Sequence, residues 1–451
     1  MKDPYSKPSM VRVGNPLYAK HGSSAQSYPL IRQSIEGAAI KDLVKKYGSP
    51  LFVFSERLMR EKYRQAYDAV RSVYPNVRFG WSYKTNYLAA VCRVFHQEGA
   101  LAEVVSQFEY EKARHHGVPG GQIIFNGPHK PMDALRRAVR EGSMINADHF
   151  GELEDLETVG KELKKPVKVG VRLNLNAGIY PIWSRFGFNL ENGQAAAAVR
   201  RVVSSKTLKL AGVHCHLGTF ILDSAAYGRA AAKLSEFVRA AESMTGKPIE
   251  YLDLGGGIPS RSHLKGVYQP PEIAVPGVET YAAVLGANLK WLLSRKSPPR
   301  LLLENGRHLV DEAGYLITTV SAEKLLPDGR RAYVLDAGIN ILYTSTWYKF
   351  KIELDRETGG VMEPSILLGP LCMNIDVVDE AVLLPRLSRG QSMVLSPVGA
   401  YNVTQWMQFI QYRPAVVMVR ESGEPLVIRR AETLADVTAC ENDLPDDEHR
   451  K

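Results

Sequence analysis

Between residues 79 and 307 a short β-rich run and a helical stretch alternate eight times, and this alternation is the strongest constraint on the fold. The runs are FGWSYKT (79–85), AEVVS (102–106), IIFNG (123–127), MINAD (144–148), VKVGVRLN (167–174), LAGVHCHLG (210–218), YLDLGGG (251–257) and RLLLENGR (300–307). Several are almost continuously apolar, as parallel strands covered on both faces must be. The gaps hold crossover helices. After Asp223, an N-cap residue, Leu234, Phe237, Val238 and Ala241 fall on one helical face, and Gly246 and Pro248 stop the helix. Eight such units over roughly 250 residues predict an α/β protein with a (β/α)8 barrel; a doubly wound open sheet is the alternative.

A chain of 451 residues is too long for one ordinary core, and its texture changes after about residue 316. GYLITTV, RRAYVLDAG, WYKFKIEL, SILLGPLC, QSMVLSP, AVVMVR and EPLVIRR follow with little helix between them, which predicts an all-β second domain. LFVFS (51–55) precedes the first barrel helix and is expected to join that domain. The expected division is a barrel over 56–316 and a discontinuous β domain over 1–55 and 317–451, with loose tails at about 1–30 and 441–451. The first thirty residues lack the apolar centre of a signal peptide, and no run has the ~18 apolar residues of a membrane span, so a cytoplasmic protein without a membrane partner is expected. The net charge of +9 is scattered among acids instead of forming a stripe, so nucleic acid is not expected as a partner. The four cysteines show no metal or disulfide spacing, fit a reducing compartment and read as small buried apolar residues.

Barrels gather their chemistry at the C-terminal ends of the strands, and the unusual residues fall there. Lys84 closes the first run, Glu103 and Ser106 lie on the second, and His214 and His216 end the sixth. Gly255, Gly256 and Gly257 end the seventh, and Glu304 and Arg307 end the eighth. Three glycines let backbone N–H groups approach an anion, although a tight turn would use them too. The two histidines share a strand face and could bind a metal. No second cluster at ligand spacing accompanies them, so no metal is expected and a flat imidazole against an aromatic cofactor is preferred. A lysine, a phosphate cradle, an imidazole and a carboxylate suit a phosphorylated pyridine aldehyde, pyridoxal 5'-phosphate, better than a cofactor-free aldolase or sugar isomerase.

Over residues 48–435 the chain resembles the barrel-plus-β-domain (fold-type III) pyridoxal phosphate decarboxylases, which include diaminopimelate and eukaryotic-type ornithine decarboxylases; alanine racemase shares the architecture. The resemblance implies roles residue by residue. "SYKTN" is similar to the cofactor-lysine motif, making Lys84 the Schiff-base residue, its pKa lowered by cofactor and burial. "EVVSQFE" implies cofactor contacts at Glu103 and Glu109. "HCHLGT" implies His216 stacked on the pyridine face and Thr219 at the phosphate, with "DLGGGIP" as the phosphate loop. "ENGR" resembles Glu-Pro-Gly-Arg, with Asn305 in place of proline. It implies Glu304 at the pyridine nitrogen, contacts from Asn305 and Gly306, and Arg307 at the phosphate or the substrate. "GAY" implies Tyr401 at the phosphate. "GPLCMNID" is similar to a segment donated across a homodimer interface, implying Cys372 as proton donor and Asp376 as a substrate contact.

The implied activity is removal of the α-carboxylate of an amino acid, with Cys372 or Lys84 returning the proton. Diaminopimelate decarboxylases carry an acid where this chain has Met373 and an arginine where it has Thr344. Losing both contacts to a distal zwitterion leads to the expectation that the substrate is a modified or conjugated amino acid and not meso-diaminopimelate. The alternatives are meso-diaminopimelate decarboxylation in lysine biosynthesis, an amino-acid racemase, and an inactive homologue that still binds the cofactor.

Overall fold

The structure is a computed structural model and describes residues 30–444. Apart from Leu30 and 441–444, the expected loose tails lie outside the described residues. Eight parallel strands form the barrel: β1 (Val77–Ser82), β2 (Leu101–Val104), β3 (Ile123–Phe125), β4 (Met144–Ala147), β5 (Val167–Asn174), β6 (Leu208–Cys215), β7 (Tyr251–Asp253) and β8 (Arg300–Asn305). They pair in sequence order, β8 pairs with β1, and β4 with β5, so the sheet is closed and an open doubly wound sheet is excluded. The strands stop one to four residues short of the apolar runs at several C-terminal ends. Lys84, for example, lies in the turn after β1, where Thr85 N–H bonds Ser82 C=O at 3.0 Å. The chain leaves the ladder where polar side chains must face the mouth of the barrel.

Helices cover the outside. Glu56–Val73 begins on Ser55, whose hydroxyl accepts the Leu58 N–H, and Ser224–Thr245 begins on Asp223 and ends at Gly246 with φ 65°. Val278–Asn288 packs between them, and a Cβ on Gly286 would stand 2.7 Å from the Val73 Cβ. The interior is unusual in carrying a polar chain. Tyr251 Oη donates to Asn146 Oδ1 at 2.8 Å, and Asn146 Nδ2 donates to Asn126 Oδ1 at 2.9 Å. Gly170 and Gly212 make room for the tyrosine, because a Cβ at either would meet it at 2.2–2.3 Å.

The second unit is an antiparallel-rich sheet completed by the N-terminal segment. Leu51–Ser55 lies between Gly314–Leu325, antiparallel, and Ala415–Val419, parallel, while Leu30–Ile31 pairs with Lys351–Leu354. Leu51, Val53, Ile317, Val394 and Val417 form its separate core. The strand Val377–Leu384 was not expected: Asp379, Glu380 and Ala381 interrupt its apolar pattern, because it pairs on one side only, with Glu363–Leu368. All four cysteines are free, but only Cys92 and Cys215 are buried; Cys372 and Cys440 are exposed, against the expectation. Among the described residues no helix is long and apolar enough to cross a membrane.

Candidate active site

A cavity of about 520 Å³ opens at the C-terminal ends of the barrel strands, where the β domain leans over the rim. Lys84, Glu103, His214, His216, Thr219, Gly257, Glu304, Gly306, Arg307 and Tyr401 line it. Its roof comes from the loop that follows Ser392–Ser396. There the Thr404 hydroxyl donates to Lys84 C=O at 2.9 Å and Tyr401 N–H to Thr85 C=O at 2.9 Å, with Tyr401 held at φ 65°.

The pairing of Ser82 with Glu103 sets the lysine beside its acid, and Lys84 Nζ lies 2.5 Å from Glu103 Oε2. Asn126 Nδ2 donates to Glu103 Oε1 at 3.1 Å and also to Glu304 Oε1, so one amide ties the two site acids together. Burial works toward a lower lysine pKa, but the Glu103 and Glu304 carboxylates outweigh it and hold Lys84 above its ordinary value. The expected lowering is therefore absent from this arrangement of side chains.

The imidazole behaves differently. Burial, against the pull of Glu304 and with help from Lys84 and Arg172, pushes His216 down to about 3, so its ring is neutral. Its Nδ1 accepts the Gly256 N–H at 2.9 Å, which assigns the proton to Nε2. Below it, His214, Asp253 and Glu304 offer ligand atoms within 4.8 Å of one another, a grouping that spacing along the chain did not reveal. Burial and then Glu304 push Asp253 well up, while Glu304 is held low, against burial, by His214 at 3.4 Å and by Lys84. Asp253 thus carries the proton of this pair and Glu304 the charge.

The glycine turn is a cradle that no side chain can enter. A Cβ on Gly256 would stand 2.1 Å from Glu304 C=O, one on Gly257 2.4 Å from Gly218 C=O, and one on Gly255 2.7 Å from His216 Nδ1. Arg307 borders the same region, half-buried, with its buried Nε lacking any partner among the described residues. A flat neutral ring, a buried carboxylate, an accessible lysine and a Cβ-free turn beside a spare guanidinium N–H fit pyridoxal phosphate, with Lys84 holding its aldehyde carbon.

Other expected residues lie elsewhere. Ser106 caps helix Gln107–His115, and Glu109 stays outside the cavity, its Oε2 accepting the Val105 N–H at 2.8 Å. Asn305, one residue past Glu304 and on the opposite strand face, does not line the cavity, and its buried Nδ2 has no partner. Within one chain neither Cys372 nor Asp376 reaches the cavity. Cys372 is exposed, and Asp376 is buried with its oxygens accepting the Ile339 and Leu371 N–H groups at 2.8 and 2.7 Å. Asn126, Arg172, Trp183, Phe186 and Phe220 line the cavity and were missed. Asn126 and Arg172 carried the same signal as Lys84, a polar side chain at the mouth end of an apolar strand.

Glu109 yields a pH prediction for the cofactor-free chain. Burial, reinforced by Glu103 and opposed by the Val105 N–H and Lys84, pushes it up to about 7. Between the ordinary carboxylate value and about 7 the folded chain holds a proton that the unfolded chain has released, so stability falls as pH rises through that window and levels off above it. Glu109→Gln is expected to flatten this slope, worth about 3 kcal/mol, in denaturant titrations at pH 5 and pH 8. An unchanged slope would exclude Glu109 as its source.

Comparison with known proteins follows the same geometry. Residues 60–311 match the family described as pyridoxal-dependent decarboxylase, pyridoxal binding domain. A diaminopimelate decarboxylase of Bacillus subtilis is 29% identical over 94% of this chain and 98% of its own length, and one of Methanothermobacter thermautotrophicus is 28% identical over 90% and 95%. The crystal structure of diaminopimelate decarboxylase from M. jannaschii superposes with a TM-score of 0.83 at 26% identity, covering 92% of this chain and 98% of its own; a further structure of it is in co-complex with L-lysine. These relatives overturn the expectation, drawn from Met373 and Thr344, that meso-diaminopimelate is excluded. The physical reason lies in the cavity wall. Thr344 is buried with its hydroxyl on Asn402 Oδ1 at 2.9 Å, while two guanidinium groups, Arg172 and Arg307, face the cavity from other elements. Counting one absent cation overlooked Arg172 and left Arg307, already expected at the phosphate or the substrate, out of the balance.

Proposed function

The chain belongs to the pyridoxal-dependent decarboxylases, and from that premise we propose that it removes one α-carboxylate of meso-diaminopimelate, leaving lysine. The observation that carries this reading is the nearly end-to-end match to diaminopimelate decarboxylases, with the Lys84–Glu103–Asn126–Glu304 arrangement set at the barrel mouth.

Pyridoxal phosphate, when bound, supplies the electron sink that accepts the pair left by the departing carboxylate. The chain's own residues do the rest. Lys84 Nζ would hold the cofactor and afterwards be the nearest group to carry a proton, with Glu103, itself fixed by Asn126, orienting it. Glu304, kept ionised beside His214, would be the acid for the ring nitrogen, and neutral His216 would be the group to lie against the ring. Arg172, whose guanidinium lies 4.6 Å from the Phe186 ring, and Arg307 are the cations available to substrate carboxylates. Trp183, Phe186, Phe220 and Tyr348 exclude water from the pocket, which favours loss of a charged carboxylate.

The largely exposed stretch 372–375 supports a homodimer in which each copy lends Cys372 to the other's cavity; buried Asp376 shapes that stretch from within. Four unpaired cysteines support a reducing, cytoplasmic setting. The decisive assay is CO2 release from meso-diaminopimelate, L-ornithine and L-lysine, with product identified by mass. Release from meso-diaminopimelate with equimolar L-lysine is expected; turnover of L-ornithine or L-lysine without meso-diaminopimelate would sink the reading.

A further inference from the structure

One carboxylate behind the cavity is bound from three directions. Asp311 is 2% exposed and sits in the short turn after Arg307–Val310. Its Oδ2 accepts the Arg307 Nη1–H at 3.0 Å and lies 2.6 and 2.7 Å from the hydroxyls of Ser260 and Ser262. Its Oδ1 accepts the Ala400 N–H at 3.1 Å, and its backbone C=O accepts the Gly399 N–H at 3.0 Å. The segment beyond β7, the turn beyond β8 and the β-domain loop carrying Tyr401 therefore converge on one side chain.

The consequence falls on Arg307. Its guanidinium carbon lies 4.5 Å from the Tyr348 ring centre, 5.0 Å from Tyr401 and 5.9 Å from Phe220. With Nη1 taken by Asp311 and the plane enclosed by rings, the buried Nε–H is left without a protein partner at the cavity wall. An orphaned, charged donor in such a place is costly unless an anionic oxygen completes it.

We propose that Asp311, with Ser260 and Ser262 behind it, is a positioning residue that locks Arg307 and the Tyr401 loop into one rigid wall for an anionic oxygen group. That group is either the cofactor phosphate or a carboxylate of the substrate, which share this chemistry. Asp311 touches neither and acts through Arg307, and its role is the same for any amino-acid substrate.

The test uses full-length protein, with pyridoxal phosphate and unphosphorylated pyridoxal titrated by absorbance, and with the KM for the amino acid that the wild type decarboxylates measured at saturating cofactor. Asp311→Asn keeps the shape and loses the anion. If the phosphate is the target, pyridoxal phosphate binds about tenfold more weakly while pyridoxal is unaffected. If the substrate carboxylate is the target, both cofactor forms bind as before and KM rises about tenfold with little change in kcat. In either case Asp311→Asn adds nothing further in an Arg307→Ala background, because the two act as a unit. Equal weakening of both cofactor forms with unchanged KM, or effects that add fully to those of Arg307→Ala, would overturn the proposal. Should Asp311→Asn fail to fold, Ser262→Ala removes one bond to the same carboxylate and must shift the same readout in the same direction. No shift in that variant refutes it.

Discussion

Lys84→Ala is expected to lose about 10⁴-fold or more of kcat and the absorbance of the bound cofactor with it. Both losses would have one cause: among the described residues Nζ is the only lysine amine on the cavity wall, and on the proposed reading it would supply both the covalent anchor and the nearest proton. Folding complicates the reading, because the substitution leaves Glu103, 1% exposed, with only the Asn126 amide for company. Breaking a buried pair from one side costs about 3–5 kcal/mol unless the acid takes up a proton. Lys84→Arg separates the two effects. It keeps a cation beside Glu103 and Glu304 but has no amine that can condense with an aldehyde. It should fold with near wild-type stability, remain colourless, and resist borohydride fixation of added pyridoxal phosphate. A coloured, active Lys84→Arg would refute the assignment.

Glu304→Gln is expected to behave in the opposite way: coloured but slow, with kcat down about 10²–10³-fold and little change in cofactor affinity. The anchoring lysine, the glycine cradle and Arg307 all survive. What disappears is a buried negative charge, maintained against burial by His214 and Lys84. An amide offers an oxygen but no charge to a protonated ring nitrogen, so the electron sink weakens while binding persists. Stopped-flow absorbance and CO2 release on one preparation would show both halves. A kcat within threefold of wild type would move the role from Glu304 to another acid. Asp253 is the first candidate, since it would no longer be pushed up by its neighbour.

The barrel was legible because parallel strands buried on both faces leave long apolar runs, and all eight were found. Their C-terminal limits were not, since Lys84 and Arg307 lie on turns whose start is set by hydrogen bonding and not by hydropathy. The residues carrying chemistry stood out as polar interruptions, yet Asn126 passed unnoticed beside a glycine that reads as an ordinary turn. Of the pocket aromatics, Trp183, Phe186 and Phe220 had no signal at all. Trp183 is tilted against His216 with centroids 5.5 Å apart, and it is the pairing of β5 with β6 that sets those two loops side by side. The substrate inference failed for a related reason: two absent side chains could be seen in the sequence, whereas Arg172 on the cavity wall needed the fold.

The strand Leu51–Ser55 has a consequence for how the molecule is made. It leaves the ribosome before any barrel strand, yet both of its sheet partners, Gly314–Leu325 and Ala415–Val419, arrive only after the whole barrel has been synthesised. Five consecutive buried residues, Leu-Phe-Val-Phe-Ser, must therefore wait as an unpaired apolar segment throughout translation of the enzyme's larger half. The loop after Ser392–Ser396, made just as late, closes the roof over Lys84 through Tyr401. A nascent chain can complete its barrel early, but the active site is finished last, so a polypeptide released before residue 405 would lack the contacts that seat its lysine.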